Sequence, residues 1–172
     1  MKHIIKNDLK IKKEELTSEV TRVKAILINS NNEILLGYSD NCYQFIGGHI
    51  EENEDLLDCL NREILEEVGI ELNLSDIEPF LFLEHYCKDH PTVDENRNCK
   101  VYYYVIKTDI KPNIKKTKYT EKEINDNFRF EYIKLEKFIE TITNNFNKYK
   151  TAKVVGEEMI EAYNTYKEYI KR

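Results

Sequence analysis

The sequence lacks long hydrophobic runs, linker-like segments and an excess of positive charge. No stretch of about 18 apolar residues occurs among its 172 residues, so we expect neither a membrane span nor a signal peptide. With 26 basic and 32 acidic side chains the net charge is -6, which disfavours nucleic acid polymers and anionic membranes as partners because like charges repel. We therefore expect a cytoplasmic protein.

Cysteine is scarce, and its four copies show no paired C-x-x-C spacing, so reduced thiols are the simplest interpretation. His85, Cys87, His90 and Cys99 could in principle supply four zinc ligands. Their spacing does not follow a common structural zinc pattern. A strand end and a loop that happen to contain these side chains are the favoured interpretation.

Glycine and proline are also few, at five and three residues, and no linker rich in Gly, Ser or Pro divides the chain. We therefore expect one domain over residues 1–172, with a core at about 20–138. An N-terminal extension at 1–19 and a C-terminal helix at about 151–171 would complete it. The first residues are compatible with an edge strand of undetermined register.

Hydrophobic periodicity predicts alternating strands and helices. The predicted strands are 20–28 and 33–38, which form a hairpin, and then 43–46, 79–86, 100–107 and 128–133. The predicted helices are 55–68, 135–142 and 152–170. This order indicates an α/β protein with a mixed sheet, because the hairpin is antiparallel. An apolar stripe on the last helix is expected to pack in the core or in a homodimer interface: Val155, Met159, Tyr163, Tyr166 and Ile170.

Acidic residues are concentrated in one stretch of the chain. Residues 48–70 contain eight acids and one base, for a local charge of -7, whereas the rest of the chain sums to +1. Gly47, Gly48 and Gly69 lie at the two ends of this stretch. Such a concentration needs a physical cause, because neighbouring like charges on a helix repel.

Three of these carboxylates do not face away from the apolar stripe of the predicted helix. At about 100° per residue, Glu63 lies beside Leu56 and Glu66 lies further along that edge. Glu67 lies between Leu56 and Leu60, inside the apolar arc, so we predict that its carboxylate is pressed toward the protein interior.

Arg62 can pair with Glu66 one helical turn away, but one guanidinium does not offset three partly desolvated carboxylates. Clustered hard oxygen ligands suit Mg²⁺ or Mn²⁺, and such ions recruit substrate phosphates as further ligands. A divalent ion is thus the simplest counter-charge. The alternative is an acidic amphipathic helix without a metal.

The stretch Gly48–Ile70, GHIEENEDLLDCLNREILEEVGI, matches the Nudix box G-x5-E-x7-R-E-U-x-E-E-x-G-U, with U aliphatic, at every defined position. The protein therefore resembles the Nudix hydrolase family, in its MutT-like form. The resemblance extends over roughly Val20–Phe138, through the hairpin, the double glycine and the later segment EYIKLEKF. It implies an α/β/α sandwich in which the box forms a loop, a helix and a loop.

The resemblance also implies roles for individual residues. Nudix enzymes hydrolyse a nucleoside diphosphate linked to another group. The metal ligands implied by analogy are Glu63, Glu66, Glu67 and the carbonyl of Gly48. Arg62 and Glu54 would orient and brace these ligands, and Gly69 would end the helix.

One carboxylate must stay free to act as general base. Glu63 is the first candidate. In some members of the family the base lies on a later loop, and Glu121 or Glu123 could fill that role here.

Two features bear on the substrate. The family often has Trp and Pro just before the double glycine, whereas this chain has Phe45 and Ile46, so the bend lacks the stiffness that a proline gives. Tyr86 follows the box at a position associated with dinucleoside polyphosphates, although a tyrosine on an aromatic-rich strand is more often a packing residue. Phe45, Tyr86 and Tyr103 are candidates either to stack on a base or to fill the core.

We therefore expect a Mg²⁺-dependent pyrophosphohydrolase, with Mn²⁺ as the second candidate ion, that acts on a small nucleotide such as a nucleoside triphosphate. One alternative is a hydrolase of dinucleoside polyphosphates, nucleotide sugars or ADP-ribose. Another is a module that binds a nucleotide without cleaving it. Such a module would be expected to have a degraded box, and this box is intact.

Overall fold

A seven-stranded mixed sheet organises the structure, a computed structural model that describes residues 1–171. The strands are β1 (Lys2–Lys6), β2 (Ser18–Ile28), β3 (Glu33–Ser39), β4 (Cys42–Phe45), β5 (Leu81–Cys87), β6 (Arg97–Lys107) and β7 (Arg129–Lys134). Their spatial order is β1-β5-β6-β2-β3-β4, and β7 pairs with β3. The β1–β5 and β2–β6 pairs are parallel and the other pairs are antiparallel, which confirms the predicted mixed sheet.

Within residues 1–171 the α-helices are α1 (Leu56–Val68), α2 (Glu121–Asn125), α3 (Phe138–Lys148) and α4 (Lys153–Tyr169), of which α1, α3 and α4 pack on the sheet. Apolar residues on one face of β2, such as Val23 and Leu27, form a core with α1. The opposite face of the sheet forms a second core with α3 and α4. The fold is therefore the expected α/β/α sandwich, with a long C-terminal helix. No helix within residues 1–171 is long and apolar enough to cross a membrane.

The predicted hairpin forms, but its two strands separate soon after the turn. β2 and β3 pair at Leu27 with Leu35 and at Ile28 with Ile34, and β3 then continues beside β4 and β7. Beyond this point β2 is bridged instead by residues 46 and 49, which follow β4. The segment that holds the double glycine is therefore placed directly against a central strand.

Helix α1 begins and ends where its sequence predicts. The Asp55 side chain accepts hydrogen bonds from the backbone N–H groups of Leu57 and Asp58 and so caps the first turn. Gly69 adopts a left-handed conformation at φ +66, and its N–H donates to the Leu65 carbonyl. These two caps fix the register of the helix, and hence the direction in which each of its carboxylates points.

The C-terminal part of the chain differs in detail from the prediction. The helix expected at 135–142 is a short 3₁₀ turn at Leu135–Lys137 followed by the longer α3. In α4, Met159 and its neighbours Tyr163 and Tyr166 are buried in the core, as predicted. Val155 and Ile170, at the two ends of the stripe, are not buried. The first residues add β1 as an edge strand parallel to β5.

Candidate active site

The double glycine forms a bend that lies against β2. Gly47 has φ +127, and a Cβ atom at this position would collide with the Val23 carbonyl, so only glycine fits. Backbone hydrogen bonds fix the bend on both sides of this contact. The Ala25 N–H donates to the Ile46 carbonyl at 2.8 Å, and the Val23 N–H donates to the Gly48 carbonyl at 3.0 Å.

Helix α1 and the bend hold each other through two carboxylates. The Gly47 N–H donates to a carboxylate oxygen of Glu67 at 2.8 Å. Glu67 is only 5% exposed, which confirms the prediction that this carboxylate points inward. The Glu63 carboxylate packs on Gly48, where an added Cβ would lie 2.7 Å from Oε2. A side chain at position 48 would therefore displace Glu63.

Arg62 is the centre of a charged network on α1. Its guanidinium donates two hydrogen bonds to Glu54, at 2.7 and 2.9 Å, in the bidentate geometry typical of strong pairs. It also donates to Glu63 at 2.8 Å and to Glu66 at 3.1 Å. These bonds lower the pKa of Glu54 to about 2 and raise the pKa of Arg62. Both groups are therefore charged at neutral pH.

One cavity of about 510 Å³ brings most of the predicted residues together. Those that line it are Gly48, Arg62, Glu63, Glu66, Glu67, Glu123, Phe45 and Tyr103. Phe45 and Tyr103 are almost completely buried, so they form the floor of the cavity more than a surface for stacking. Glu54 and Gly69 do not line the cavity. Glu54 holds Arg62 in place through two hydrogen bonds, and Gly69 ends the helix that carries the carboxylates.

Two predicted residues do not reach this cavity. Tyr86 is buried on β5 and lines a separate groove with Asn98 and Lys100. Glu121 begins α2 and does not line the cavity, whereas Glu123 does. Glu123 also accepts hydrogen bonds from the Thr120 N–H at 2.6 Å and the Thr120 hydroxyl at 2.8 Å, so it serves as a helix cap.

Sequence reasoning misses several cationic residues of the cavity. Arg22 and Lys24 come from β2, and Lys118 and Lys122 come from the segment around α2. The cavity is consequently lined by five cationic and six carboxylate side chains. Residues 48–70 alone carry a net charge of -7, but the cations from β2 and from the segment around α2 balance most of the negative charge that lines the cavity. Arg22 and Lys24 alternate with aliphatic residues along β2, and this alternation is the sequence signal that could reveal these two cations.

Lys24 is the innermost of these cations. Its ammonium donates hydrogen bonds to the Phe45 carbonyl at 3.0 Å and to the Gly47 carbonyl. Burial raises the pKa of Glu67 to about 8 and lowers the pKa of Lys24, while each charge favours the charged form of the other group. Burial also raises the pKa of Glu63, against the opposing effect of Arg62.

The C-terminal helix forms the far wall of the cavity. Val155, Glu158 and Met159 of α4 face Val101 and Tyr103 of β6 across it. The Tyr103 hydroxyl donates a hydrogen bond to the Glu158 carboxylate. The apolar stripe of α4 is thus part of the core and also, at its N-terminal end, part of the cavity. The cavity therefore combines charged side chains with an apolar set, Phe45, Val101, Tyr103, Val155 and Met159.

The carboxylate oxygens of the box are suitable ligands for a divalent metal, although in this structure they accept hydrogen bonds from other groups. Within residues 1–171, no three His, Cys, Asp or Glu side chains already form a metal-binding cluster. This holds for the box and for the histidines and cysteines at 85–99. Glu63 and Glu66 are bonded to Arg62, and Glu67 is bonded to Gly47. The missing Cβ of Gly48 leaves its backbone beside the Glu63 carboxylate, so hard oxygen donors converge there.

The fold and the site define a class of protein: a hydrolase-type α/β/α sandwich with an acidic helix behind a double-glycine bend. The sequence model of the NUDIX domain matches residues 19–153, and the chain therefore belongs to this family. Its complete box makes it a pyrophosphohydrolase of the Nudix class. The family generally uses a divalent metal and small nucleotide substrates.

Several solved structures are similar to this chain. A C. elegans Ap4A hydrolase in a binary complex has a TM-score of 0.56 and 12% identity, over 88% of this chain and 98% of that chain. A MutT protein from Bacillus halodurans has a TM-score of 0.49 and 15% identity, over 70% and 72%. A MutT NUDIX hydrolase from Burkholderia pseudomallei has a TM-score of 0.48 and 19% identity, over 69% and 84%. Comparison with curated protein sequences gives no match.

Proposed function

We propose that the protein hydrolyses a nucleoside diphosphate linked to another group, with a nucleoside triphosphate-type compound as substrate and Mg²⁺ as the metal. The observation that carries this proposal is the convergence of Glu63, Glu66, Glu67 and Arg62 on one cavity that is also lined by apolar side chains. A nucleotide likewise combines charged phosphates with a flat apolar ring.

The cavity supports a substrate with one base. Its volume of about 510 Å³ is within the range of small-ligand sites. The sequence signal for dinucleoside polyphosphates depends on Tyr86, which lines a different groove. The Ap4A hydrolase similarity concerns the fold alone, so it does not favour that substrate. We therefore rank nucleoside triphosphates first and dinucleoside polyphosphates, nucleotide sugars and ADP-ribose second.

Glu66, Glu67 and the Gly48 carbonyl are the residues that would hold the metal while Glu63 stays free as the base, and Glu63 would complete the ligand set if the base were Glu123. A divalent ion bound there would neutralise the diphosphate, polarise phosphorus and make water easier to deprotonate. Both Glu63 and Glu66 would have to release their bonds to Arg62 to take up these roles. The freed guanidinium N–H groups could then bind phosphate oxygens, while Glu54 keeps the side chain in place through its two hydrogen bonds.

We assign the role of general base to Glu63. Burial raises the pKa of the Glu63 carboxyl toward neutral pH. A carboxylate with a higher pKa is a better proton acceptor. Glu123, the alternative, accepts both Thr120 hydrogen bonds at one carboxylate oxygen and is thereby held as the cap of α2. Lys118 and Lys122 also line the cavity and would bind the outgoing phosphates.

A substrate panel tests this proposal directly. Purified protein is incubated with Mg²⁺ and nucleoside triphosphates, dinucleoside polyphosphates, nucleotide sugars and ADP-ribose, and orthophosphate and pyrophosphate are measured separately. We expect the highest kcat/KM for a nucleoside triphosphate. Equal or higher kcat/KM for a compound from another group would replace the proposed substrate while leaving the class of reaction intact.

A further inference from the structure

Lys24 occupies a position where a charged side chain is costly. It lies in the central strand β2 between Val23 and Ala25, which are fully buried on the opposite face of the sheet. Its side chain is partly buried, and a charged group withdrawn from water is retained only when fixed partners compensate for the lost hydration. The partners of Lys24 therefore indicate what the residue does.

Two of those partners are backbone carbonyls on either side of Ile46. The ammonium donates to the carbonyl of Phe45, at the end of β4, and to the carbonyl of Gly47, inside the bend. The neighbouring residues Val23 and Ala25 donate their own N–H groups to Gly48 and Ile46. Backbone and side chain of β2 thus bind four consecutive carbonyls of the segment that carries the double glycine.

No proline stiffens this bend. The three prolines are Pro79, Pro91 and Pro112, and none lies near residues 45–48. Glycine at position 47 gives the backbone many accessible conformations, so other contacts must restrict the bend to one of them. Two hydrogen bonds from a charged donor provide the required constraint.

We infer that Lys24 is a positioning residue that fixes the double-glycine bend and, through it, the catalytic carboxylates. The Gly47 N–H orients Glu67, and the backbone of Gly48 sets the place of Glu63. A bend that loosens therefore misplaces both carboxylates at once. The effect of Lys24 on turnover rests on the proposed function, whereas its effect on the bend does not.

Amide hydrogen exchange measured by NMR tests the inference without substrate. The comparison is between wild type, Lys24→Met and Lys118→Met, because Lys118 carries the same charge in the same cavity and, unlike Lys24, its side chain makes no hydrogen bond to the bend. We expect Lys24→Met to speed exchange of the Gly47 amide by about tenfold or more, with strand β6 amides unchanged. Lys118→Met should leave Gly47 exchange as in wild type. Unchanged Gly47 exchange in Lys24→Met, or the same increase in Lys118→Met, would overturn the inference.

Wild-type protein provides a second test if Lys24→Met does not fold. The protons of the Lys24 ammonium should exchange with water at least about a hundredfold more slowly than those of Lys118, since both carbonyl bonds must open first. Equal exchange of the two ammonium groups would contradict the inference.

Kinetics then separate positioning from binding. At saturating Mg²⁺ we expect Lys24→Met to lower kcat by about tenfold or more while KM changes by less than about threefold. A rise in KM with unchanged kcat would make Lys24 a substrate-binding residue and refute the positioning role. A wild-type protein without turnover would count against the proposed function, while the exchange measurements would still decide the role of Lys24.

Discussion

The Glu54–Arg62 pair permits a quantitative prediction about stability. Glu54 precedes α1, its side chain is 12% exposed, and it accepts two hydrogen bonds from the Arg62 guanidinium. The substitution Glu54→Gln keeps the shape of the side chain and removes its charge. It therefore isolates the electrostatic contribution of the pair to the free energy of unfolding.

The size of the effect follows from the pKa of Glu54, which Arg62 lowers from the ordinary value of 4.5 to about 2. At about 1.36 kcal/mol for each pKa unit, this difference corresponds to at most about 3 kcal/mol of stability. The guanidinium is 23% exposed and shared with other carboxylates, so solvent reduces the gain. We expect Glu54→Gln to lower the free energy of unfolding by about 2 kcal/mol at pH 7.

The pH dependence has a definite sign. Because the pKa of Glu54 is lower in the folded protein than in the unfolded chain, the stabilisation is complete well above pH 4.5 and is lost as the pH falls toward about 2. The difference between wild type and Glu54→Gln should therefore shrink to less than half at about pH 3.

Urea unfolding followed by far-ultraviolet circular dichroism measures these differences, and the lack of tryptophan does not affect this signal. Glu51→Gln is the matched control, because Glu51 lies 3.9 Å from the same guanidinium but is 71% exposed. Its effect should stay below about 0.5 kcal/mol. An undiminished Glu54→Gln effect at about pH 3, or an equal effect of Glu51→Gln, would refute the reasoning.

Three further predictions concern the core, the metal and the general base. Phe138→Ala should cost about 3 to 5 kcal/mol in urea unfolding, because the ring is fully buried and stacks on Phe45 with centroids 5.7 Å apart; a loss below about 1 kcal/mol would contradict this packing. Mg²⁺ at a hundred times its Kd should stabilise the protein by about 2.7 kcal/mol in thermal unfolding, and Glu66→Gln should abolish most of this gain. Glu63→Gln should lower kcat by about a hundredfold or more, whereas Glu123→Gln should change it by less than about threefold. The reverse order in a steady-state assay would make Glu123 the base.

Local rules explain which features can be predicted from the sequence. Helix α1 follows from its apolar spacing, the Asp55 cap and Gly69, all of which act within a few residues. The inward direction of Glu67 follows from the same periodicity and is confirmed by its burial. The mixed sheet follows from the order of strands and helices, whereas the three layers are implied by the resemblance to the Nudix family.

Contacts between distant segments explain what the sequence does not predict. Alternation in β2 can single out Lys24 as a candidate, but the sequence does not show that Lys24 or Glu158 meets the box, because they enter the cavity from β2 and α4, far from it in the chain. Tyr86 fits a sequence spacing, but the strand register directs it to another groove. The net charge of the site likewise depends on residues from several segments. Residues 48–70 carry a charge of -7, whereas the cavity that they line has five cationic and six carboxylate side chains.

Hydrolysis by the wild type and by Glu67→Gln, measured side by side with Mg²⁺, tests the central claim most directly. Glu67 is the buried carboxylate that joins α1 to the bend, and Gln keeps its shape while removing its charge. We predict that the wild type cleaves a diphosphate-containing nucleotide in a Mg²⁺-dependent reaction and that Glu67→Gln lowers kcat/KM by about a hundredfold or more, equal to about 2.7 kcal/mol of transition-state stabilisation. Equal activity of the two proteins, or no cleavage of any such nucleotide by the wild type, would contradict the claim.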